Sequence, residues 1–170
     1  MIPISSAISG GLIWSKTSYK RGYELKCNGE IVASLQRKSF WSSEFLAESA
    51  RGSWKFCRTG CFRAGAEIVD SNFGTRIAIL KPNWSGGGTL AFSDGLTFRI
   101  TSKGFWRQVW SVLGDSGETV LSIHSREVDV PRKLHLSEER LILIAIFSWH
   151  IMQQASEDAA SVAATLAVIS

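Results

Sequence analysis

The chain has 170 residues, of which 45% are hydrophobic and 20% charged, and its formal net charge is +4 at pH 7. This length suits one domain with a sizeable core, and the hydrophobic fraction excludes a disordered chain. Glycine occurs 15 times and proline only three times, which excludes collagen-like and proline-rich proteins.

The N-terminal segment has no basic stretch ahead of its apolar residues, so the pattern of a secretory signal is missing. We assign residues 1–18 to an N-terminal extension. We expect a cytoplasmic protein, either free or peripheral at the membrane.

From residue 19 onwards, turn signals such as Asn28-Gly29 and Asp94-Gly95 recur at close intervals. Such pairs supply the positive φ angles of tight hairpins, and the short runs between them alternate in polarity. Because twisted sheets of about ten or more strands rarely stay open, we expect a barrel or two packed sheets.

Each alternating run has one apolar face, which must pack against a core. The predicted inward-facing residues include Leu25, Leu35, Trp54, Phe56, Ile77, Ile79, Leu90, Leu96, Phe98, Ile100, Trp110 and Ile123.

After Pro131 the pattern becomes helical. Ser137 is the predicted N-cap, acidic residues follow it in the first turn, and Leu141–Gln154 is apolar on all sides. A helix of this kind is buried all round. Its apolar stretch holds about 12 residues, whereas a transmembrane helix needs roughly 20. We therefore predict that this helix runs through the barrel, and we assign residues 19–155 to a barrel with a central helix.

Residues 156–170 form an Ala-rich tail, in which Glu157 and Asp158 would open a second, short helix. Insertion of the whole tail into a membrane is the alternative. It would place these two carboxylates in the middle of the span, which is costly.

Four segments carry a likeness to a known family: Trp41–Phe62, Pro82–Thr101, Phe105–Gly117 and the helix Leu141–Gln154. They resemble the tubby C-terminal-like superfamily, above all its bacterial LURP-one-related and phospholipid-scramblase-like members. The resemblance implies a mainly β fold, a closed antiparallel β-barrel of about a dozen strands surrounding a hydrophobic C-terminal helix. It also implies a non-enzymatic binding or scaffolding module.

The chain departs from this superfamily in two respects. No segment matches the basic cluster with which tubby domains bind phosphoinositides. The proline-rich arm, the cysteine-rich stretch and the calcium-binding loop of scramblases are also missing from the sequence.

No catalytic signature is present, since the sequence lacks GxSxG, HExxH, P-loop and CxxC motifs. Cys57 and Cys61 have no histidine near them, so we expect idle thiols and no metal site. Gly86–Gly88 is interpreted as a hairpin connection rather than an anion cradle. His150 is predicted to be a core histidine bonded to one polar neighbour. We expect no enzyme activity and no cofactor; the least favoured alternative is an enzyme whose unrecognised site gathers His124 or His135 with acidic neighbours.

Basic residues dominate from Arg51 to Arg107, and six of them are candidate lipid or anion contacts: Lys55, Arg63, Lys81, Arg99, Lys103 and Arg107. Strand parity points Lys55, Arg99 and Arg107 outward and places the other three at turns. On one side of the barrel they would bind anionic lipid headgroups. The alternative is a solvated surface on a soluble protein-interaction domain. No nucleic-acid partner is expected, because the aromatic residues are assigned to the core.

Overall fold

A computed structural model describes residues 1–7, 10–17, 22–39, 42–59, 65–83, 87–104, 109–131 and 136–169. Within these residues the chain forms twelve strands and two helices. The helices are α1 (Ile4–Ala7) and α2 (Glu138–Ile169). The strands are β1 (Leu12–Lys16), β2 (Gly22–Cys27), β3 (Glu30–Arg37), β4 (Phe45–Ser49), β5 (Gly52–Thr59), β6 (Gly65–Asp70), β7 (Arg76–Pro82), β8 (Gly88–Phe92), β9 (Thr97–Lys103), β10 (Val109–Leu113), β11 (Thr119–His124) and β12 (Glu127–Asp129).

The twelve strands form one closed antiparallel barrel in chain order, which β1 closes by pairing with both β2 and β12. The protein is therefore mainly β, as predicted. Several predicted turns have the expected geometry, since Asn28, Gly29 and Gly95 all have positive φ angles.

Sequential antiparallel strands place their connections alternately at the two ends of the barrel. We call the end with the β2–β3, β4–β5, β6–β7, β8–β9 and β10–β11 turns the lower end. Helix α2 begins there, where Glu138 pairs with Arg51 and Arg140 pairs with Asp94. We call the opposite end, where α2 leaves the strands, the upper end; there Glu157 pairs with Arg37.

Helix α2 fills the barrel with apolar side chains from every side. All residues from Leu141 to Ile151 are buried. Trp149 stacks on Trp14 of β1 with 5.1 Å between ring centroids, and Phe147 meets the Phe56 ring of β5 edge-on at the same distance. The prediction that barrel strands surround an apolar helix is confirmed.

The start of α2 also follows the sequence prediction. The Ser137 hydroxyl accepts a hydrogen bond of 3.2 Å from the Arg140 amide, and the Ser137 carbonyl accepts one of 3.0 Å from the Leu141 amide. Ser137 is thus the N-cap of a 32-residue helix.

The two ends of the chain differ from expectation. Strand β1 lies within the segment that we assigned to an N-terminal extension, and its Trp14 is fully buried. Leu12, Ile13 and Trp14 are all apolar, so no alternation marks this strand. At the other end, α2 continues without a break through Ser156 and Glu157, because no glycine or proline interrupts it.

The predicted inward face of β7 is wrong. Ala78 and Leu80 are buried inside the barrel, whereas Ile77 and Ile79 lie on the outer side and are half-buried. Both faces of this strand carry apolar residues, so periodicity alone does not distinguish them. Leu96 is also not inward-facing, since it lies in the β8–β9 turn and is exposed.

Replacement of Phe147 by alanine tests the packing of the helix inside the barrel. Phe147→Ala should lower the free energy of unfolding by about 3–5 kcal/mol, because it leaves a cavity beside Phe56 without reducing helix propensity. Urea denaturation measures this change. Glu139→Gln, at an exposed site on the same helix, should cost less than about 1 kcal/mol. Equal small losses in both variants would contradict the buried placement of α2.

Candidate functional site

A cavity of about 320 Å³ opens at the upper end, beside the point where α2 leaves the strands. Its walls come from the ends of β1, β2, β3 and β4 and from the helix. The lining residues are Lys16, Gly22, Tyr23, Arg37, Phe45 and Glu157. The volume lies at the small end of the range for ligand pockets, which suits a single headgroup or small molecule.

Three odd-numbered strands each carry a basic residue near their upper end, on the side that faces into the barrel. Lys16 follows Trp14 by two positions, Arg37 follows Leu35, and Arg58 follows Phe56. Because side chains alternate along a strand, each cation shares the inward face of the buried residue before it. We call Lys16, Arg37 and Arg58 the mouth cations.

Helix α2 supplies two carboxylates to this mouth. Glu157 lies 3.5 Å from the Arg37 guanidinium, and Asp158 lies 3.9 Å from that of Arg58. No ion pair within the described residues involves Lys16, which is exposed. Counted over these described groups, the mouth has one positive charge more than it has carboxylates.

Arg37 is held in place although its bonding is incomplete. Its guanidinium lies over the Phe45 ring, 5.1 Å from the centroid, and its Nε atom is buried without a hydrogen-bond partner among the described residues. An unpartnered buried donor is unfavourable by about 1–3 kcal/mol. The Arg37 guanidinium nevertheless lies at the edge of the cavity, so a cation is positioned there in spite of this cost.

Tyr23 contributes a neutral hydroxyl to the cavity wall. The hydroxyl donates a hydrogen bond of 3.0 Å to the Gln153 side chain on α2. Burial raises the pKa of Tyr23, and the nearby Glu157 carboxylate raises it further, whereas Arg37 opposes both effects. The phenol consequently stays protonated at neutral pH and retains lone pairs that can accept a hydrogen bond.

Other basic residues surround the same end on the outside of the barrel. Lys81 is near the end of β7, Lys103 is the last residue of β9, and Arg126 is in the β11–β12 turn. All three are exposed, and no ion pair joins them to a described acidic residue. With Lys16 they form what we call the free upper cations.

The lower end has the opposite charge character among the described residues. In its turns and in the first turn of α2, carboxylates outnumber basic groups. These carboxylates are Asp70, Asp94, Asp115, Glu118, Glu138 and Glu139. Arg140 binds the Asp94 carboxylate through both guanidinium Nη atoms, which lowers the pKa of Asp94. The barrel thus has a basic upper end and an acidic lower end.

The four predicted contact residues that the structure describes do not form one patch. Lys81 and Arg99 flank Thr89 in one outer row and are about 10 Å apart, two strand spacings. Lys103 lies four residues beyond Arg99 on the same strand. Lys55 points outward as predicted, but its row contains Val69 and Arg76 and runs toward the lower end. Arg63 and Arg107 lie outside the described residues.

Two of the predicted placements need correction. Lys81 is a residue of β7 rather than of a turn, and it pairs with Thr89. Lys103 ends β9 and is followed by Gly104, whose φ angle is positive, so the turn begins one residue later.

The cavity residues Lys16, Tyr23, Arg37 and Glu157 were not predicted from the sequence. A signal was nevertheless present, because Trp14-Ser15-Lys16, Leu35-Gln36-Arg37 and Phe56-Cys57-Arg58 share an apolar-x-basic pattern. A basic residue in phase with a buried aromatic or leucine marks the point where a strand reaches the barrel mouth.

Two of the three cysteines belong to the described residues. Cys27 is buried and Cys57 half-buried, and no disulfide joins them. Burial raises the pKa of Cys57, and the Glu44 and Glu67 carboxylates raise it further, so its thiolate is disfavoured. Cys61 and Gly86 lie outside the described residues. No cluster of metal-binding side chains occurs in the part of the chain that the structure describes.

His150 lies in the core, as predicted, among aromatic rings. Its ring contacts Phe45 and Phe56 at centroid distances of 4.4 and 5.4 Å, and its Nδ1 atom has no hydrogen-bond partner among the described residues. Burial lowers the pKa of His150 to about 3, and the Arg37 and Arg58 charges contribute. The imidazole is therefore neutral in the folded protein.

Comparisons with protein-family models, curated proteins and solved structures found no match to this chain. None of the described helices combines the length and apolar character needed to span a bilayer. The molecule itself establishes a closed twelve-strand antiparallel barrel with a C-terminal helix packed against its strands, an architecture consistent with a tubby-like fold.

The neutral, buried His150 predicts a specific pH dependence. Between about pH 6.5 and pH 3 the unfolded chain binds a proton at this residue that the folded protein does not, so stability falls as pH falls. The slope from this one group approaches about 1.4 kcal/mol per pH unit. In His150→Leu this contribution should vanish, and urea denaturation between pH 7 and pH 4 should show a shallower loss than in the parent. Parallel pH profiles would contradict a neutral His150.

Proposed function

We propose that this protein is a non-enzymatic binding module of the tubby-like, LURP-one-related type. In this proposal its upper end contacts anionic lipid headgroups and the protein is peripheral at a membrane. The observation that carries the proposal is the one-sided charge distribution, with four free upper cations at the end that holds the cavity and carboxylates gathered at the opposite end.

The likeness in architecture supports the proposed family. A closed barrel of twelve antiparallel strands with an apolar C-terminal helix is the arrangement that the sequence resemblance implies. The mouth cations do not correspond to the phosphoinositide-binding cluster of tubby domains. The proposal for lipid binding therefore depends on the residues of this chain alone.

Opposite charges at the two ends would orient the protein before contact. An anionic surface attracts the basic end and repels the acidic end, so the upper end approaches first. Each free cation near such a surface contributes about 1 kcal/mol, and the attraction falls off within the Debye length. Binding should accordingly weaken as salt is added.

The cavity would hold one anionic headgroup. Lys16 presents at its rim an ammonium that pairs with no described carboxylate, and Arg37 presents a guanidinium whose partner Glu157 is largely exposed and 3.5 Å away. A phosphate or carboxylate entering the cavity would compete with Glu157 for Arg37, since guanidinium groups bind both oxyanions well. The Tyr23 hydroxyl would accept a hydrogen bond from a neutral donor of the same ligand.

Vesicle sedimentation tests the proposed site. Lys16→Gln/Lys81→Gln/Lys103→Gln should bind phosphatidylcholine vesicles that contain phosphatidylserine on the order of 100-fold more weakly, as expected for three contacts of about 1 kcal/mol each. Lys26→Gln/Lys55→Gln/Arg76→Gln removes the same charge from the wall and the lower end, and should lose much less. Equal losses in both triple variants, or binding indifferent to phosphatidylserine, would contradict the proposal.

A second variant changes affinity in the opposite direction. Glu157→Gln removes the carboxylate that competes for Arg37 and adds one positive charge to the mouth. It should bind phosphatidylserine vesicles more tightly than the parent. Weaker binding would show that Glu157 takes part in ligand contact rather than competing with it.

A protein partner is the second candidate, and it is favoured by a different surface. Phe73 and Leu96 lie in neighbouring turns of the lower end and are 83% and 43% exposed. The Ser93 amide bonds the Ile77 carbonyl at 2.9 Å, which holds the two turns side by side. Exposed apolar residues beside carboxylates suit a basic protein surface. This function would be supported if the parent protein binds a partner in the absence of lipid and the Phe73→Ser/Leu96→Ser variant does not.

A further inference from the structure

The last third of α2 extends beyond the strands. Among the helix residues whose side chains the structure describes, Ile151 is the last buried one, and every residue from Ser156 to Ser161 is exposed, as is Ala164. The helix nevertheless continues to Ile169, so its 32 residues span about 48 Å. The strands, at up to eight residues, reach at most about 27 Å. A helical rod therefore projects from the upper end.

Asp158 is the last charged residue of the projecting rod, and mostly apolar residues follow it. No ionisable side chain occurs between Ala159 and Ile169, and nine of these eleven residues are Ala, Val, Leu or Ile. This segment is about 16 Å long, roughly half of the 30 Å hydrocarbon core of a bilayer. Its length thus matches one leaflet rather than a whole membrane.

The charges at the base of the rod match the surface of such a leaflet. Lys16, Lys81, Lys103 and Arg126 surround the upper end, where anionic headgroups would lie. Glu157 and Asp158 remain at the barrel mouth beside Arg37 and Arg58. These carboxylates would therefore sit among headgroups and cations, and the cost of placing them within the hydrocarbon does not arise.

We infer that Ala159–Ile169 inserts into one leaflet of an anionic membrane, with the free upper cations at headgroup level. The occupant of this helix end is lipid, because its apolar length and the positive charge around its base together suit an anionic leaflet. The inference depends on the proposed function, which brings the upper end to the membrane. It adds a second attachment, since apolar insertion resists salt whereas cation–headgroup contacts do not.

A matched pair of fluorescent probes tests the insertion. In the full chain with its three cysteines replaced by serine, an environment-sensitive probe is attached to Ala164→Cys or to Ser156→Cys, two turns apart on the exposed rod. With phosphatidylserine-containing vesicles, nitroxide lipids should quench the probe at 164 strongly and the probe at 156 weakly. Thermal unfolding of both proteins confirms that the replacements preserve the fold.

A measurement that keeps the native cysteines complements the probes. Leu166→Gln/Ile169→Gln should partition into the same vesicles at least about tenfold more weakly at high salt, where electrostatic attraction is screened. Ser156→Gln, which adds one such group at the base of the rod and outside the inserting segment, should bind like the parent.

The outcomes separate the two proposals. Insertion would be overturned if the protein sediments with vesicles while both probes stay unquenched and Leu166→Gln/Ile169→Gln binds like the parent at high salt. Headgroup binding would then stand. Absence of sedimentation would overturn both. Shielding of the probe at 164 without vesicles, with a doubled mass in solution, would show that a second copy covers the rod and would overturn insertion.

Discussion

Enclosure of an apolar helix is the constraint on which the rest of this structure depends. Leu141–Ile151 has apolar side chains in every direction, so one packing surface cannot cover it and a closed wall is required. Twelve strands form that wall, and Trp14, Phe45 and Phe56 meet the helix rings from three of them. The burial is so complete that the His150 imidazole stays neutral among aromatic rings.

The same enclosure creates two chemically different ends. A single helix inside a barrel begins at one end and leaves at the other, and each end needs side chains that bind it there. At the lower end Glu138 and Arg140 pair with residues of the hairpin turns. At the upper end Glu157 and Asp158 pair with Arg37 and Arg58, but Lys16 has no such partner in the part of the chain that the structure describes. The proposed lipid contact is a consequence of this incomplete compensation.

Sequence patterns predicted the elements whose signals are local. The hairpin turns, the Ser137 cap and the buried helix were correctly identified, because glycine turns and unbroken apolar runs need no knowledge of distant residues. Strand β1 and the inward face of β7 were missed where neighbouring residues are all apolar. The cavity was missed because it joins Lys16, Arg37 and Glu157, whose proximity follows only from barrel closure. The six predicted contacts all come from one basic stretch of the sequence, Arg51 to Arg107. The free upper cations instead share one end of the barrel and come from distant parts of the sequence.

Amide hydrogen exchange of the intact protein measures the central constraint most directly. If the barrel encloses α2, the amides of Leu141–Ile151 exchange only when the barrel itself opens, with the same opening free energy as the slowest amides of β3 and β5. That is the result expected from the buried helix. Exchange of these helix amides at a markedly lower opening free energy than the strands would show that α2 leaves the barrel independently, and it would contradict the account.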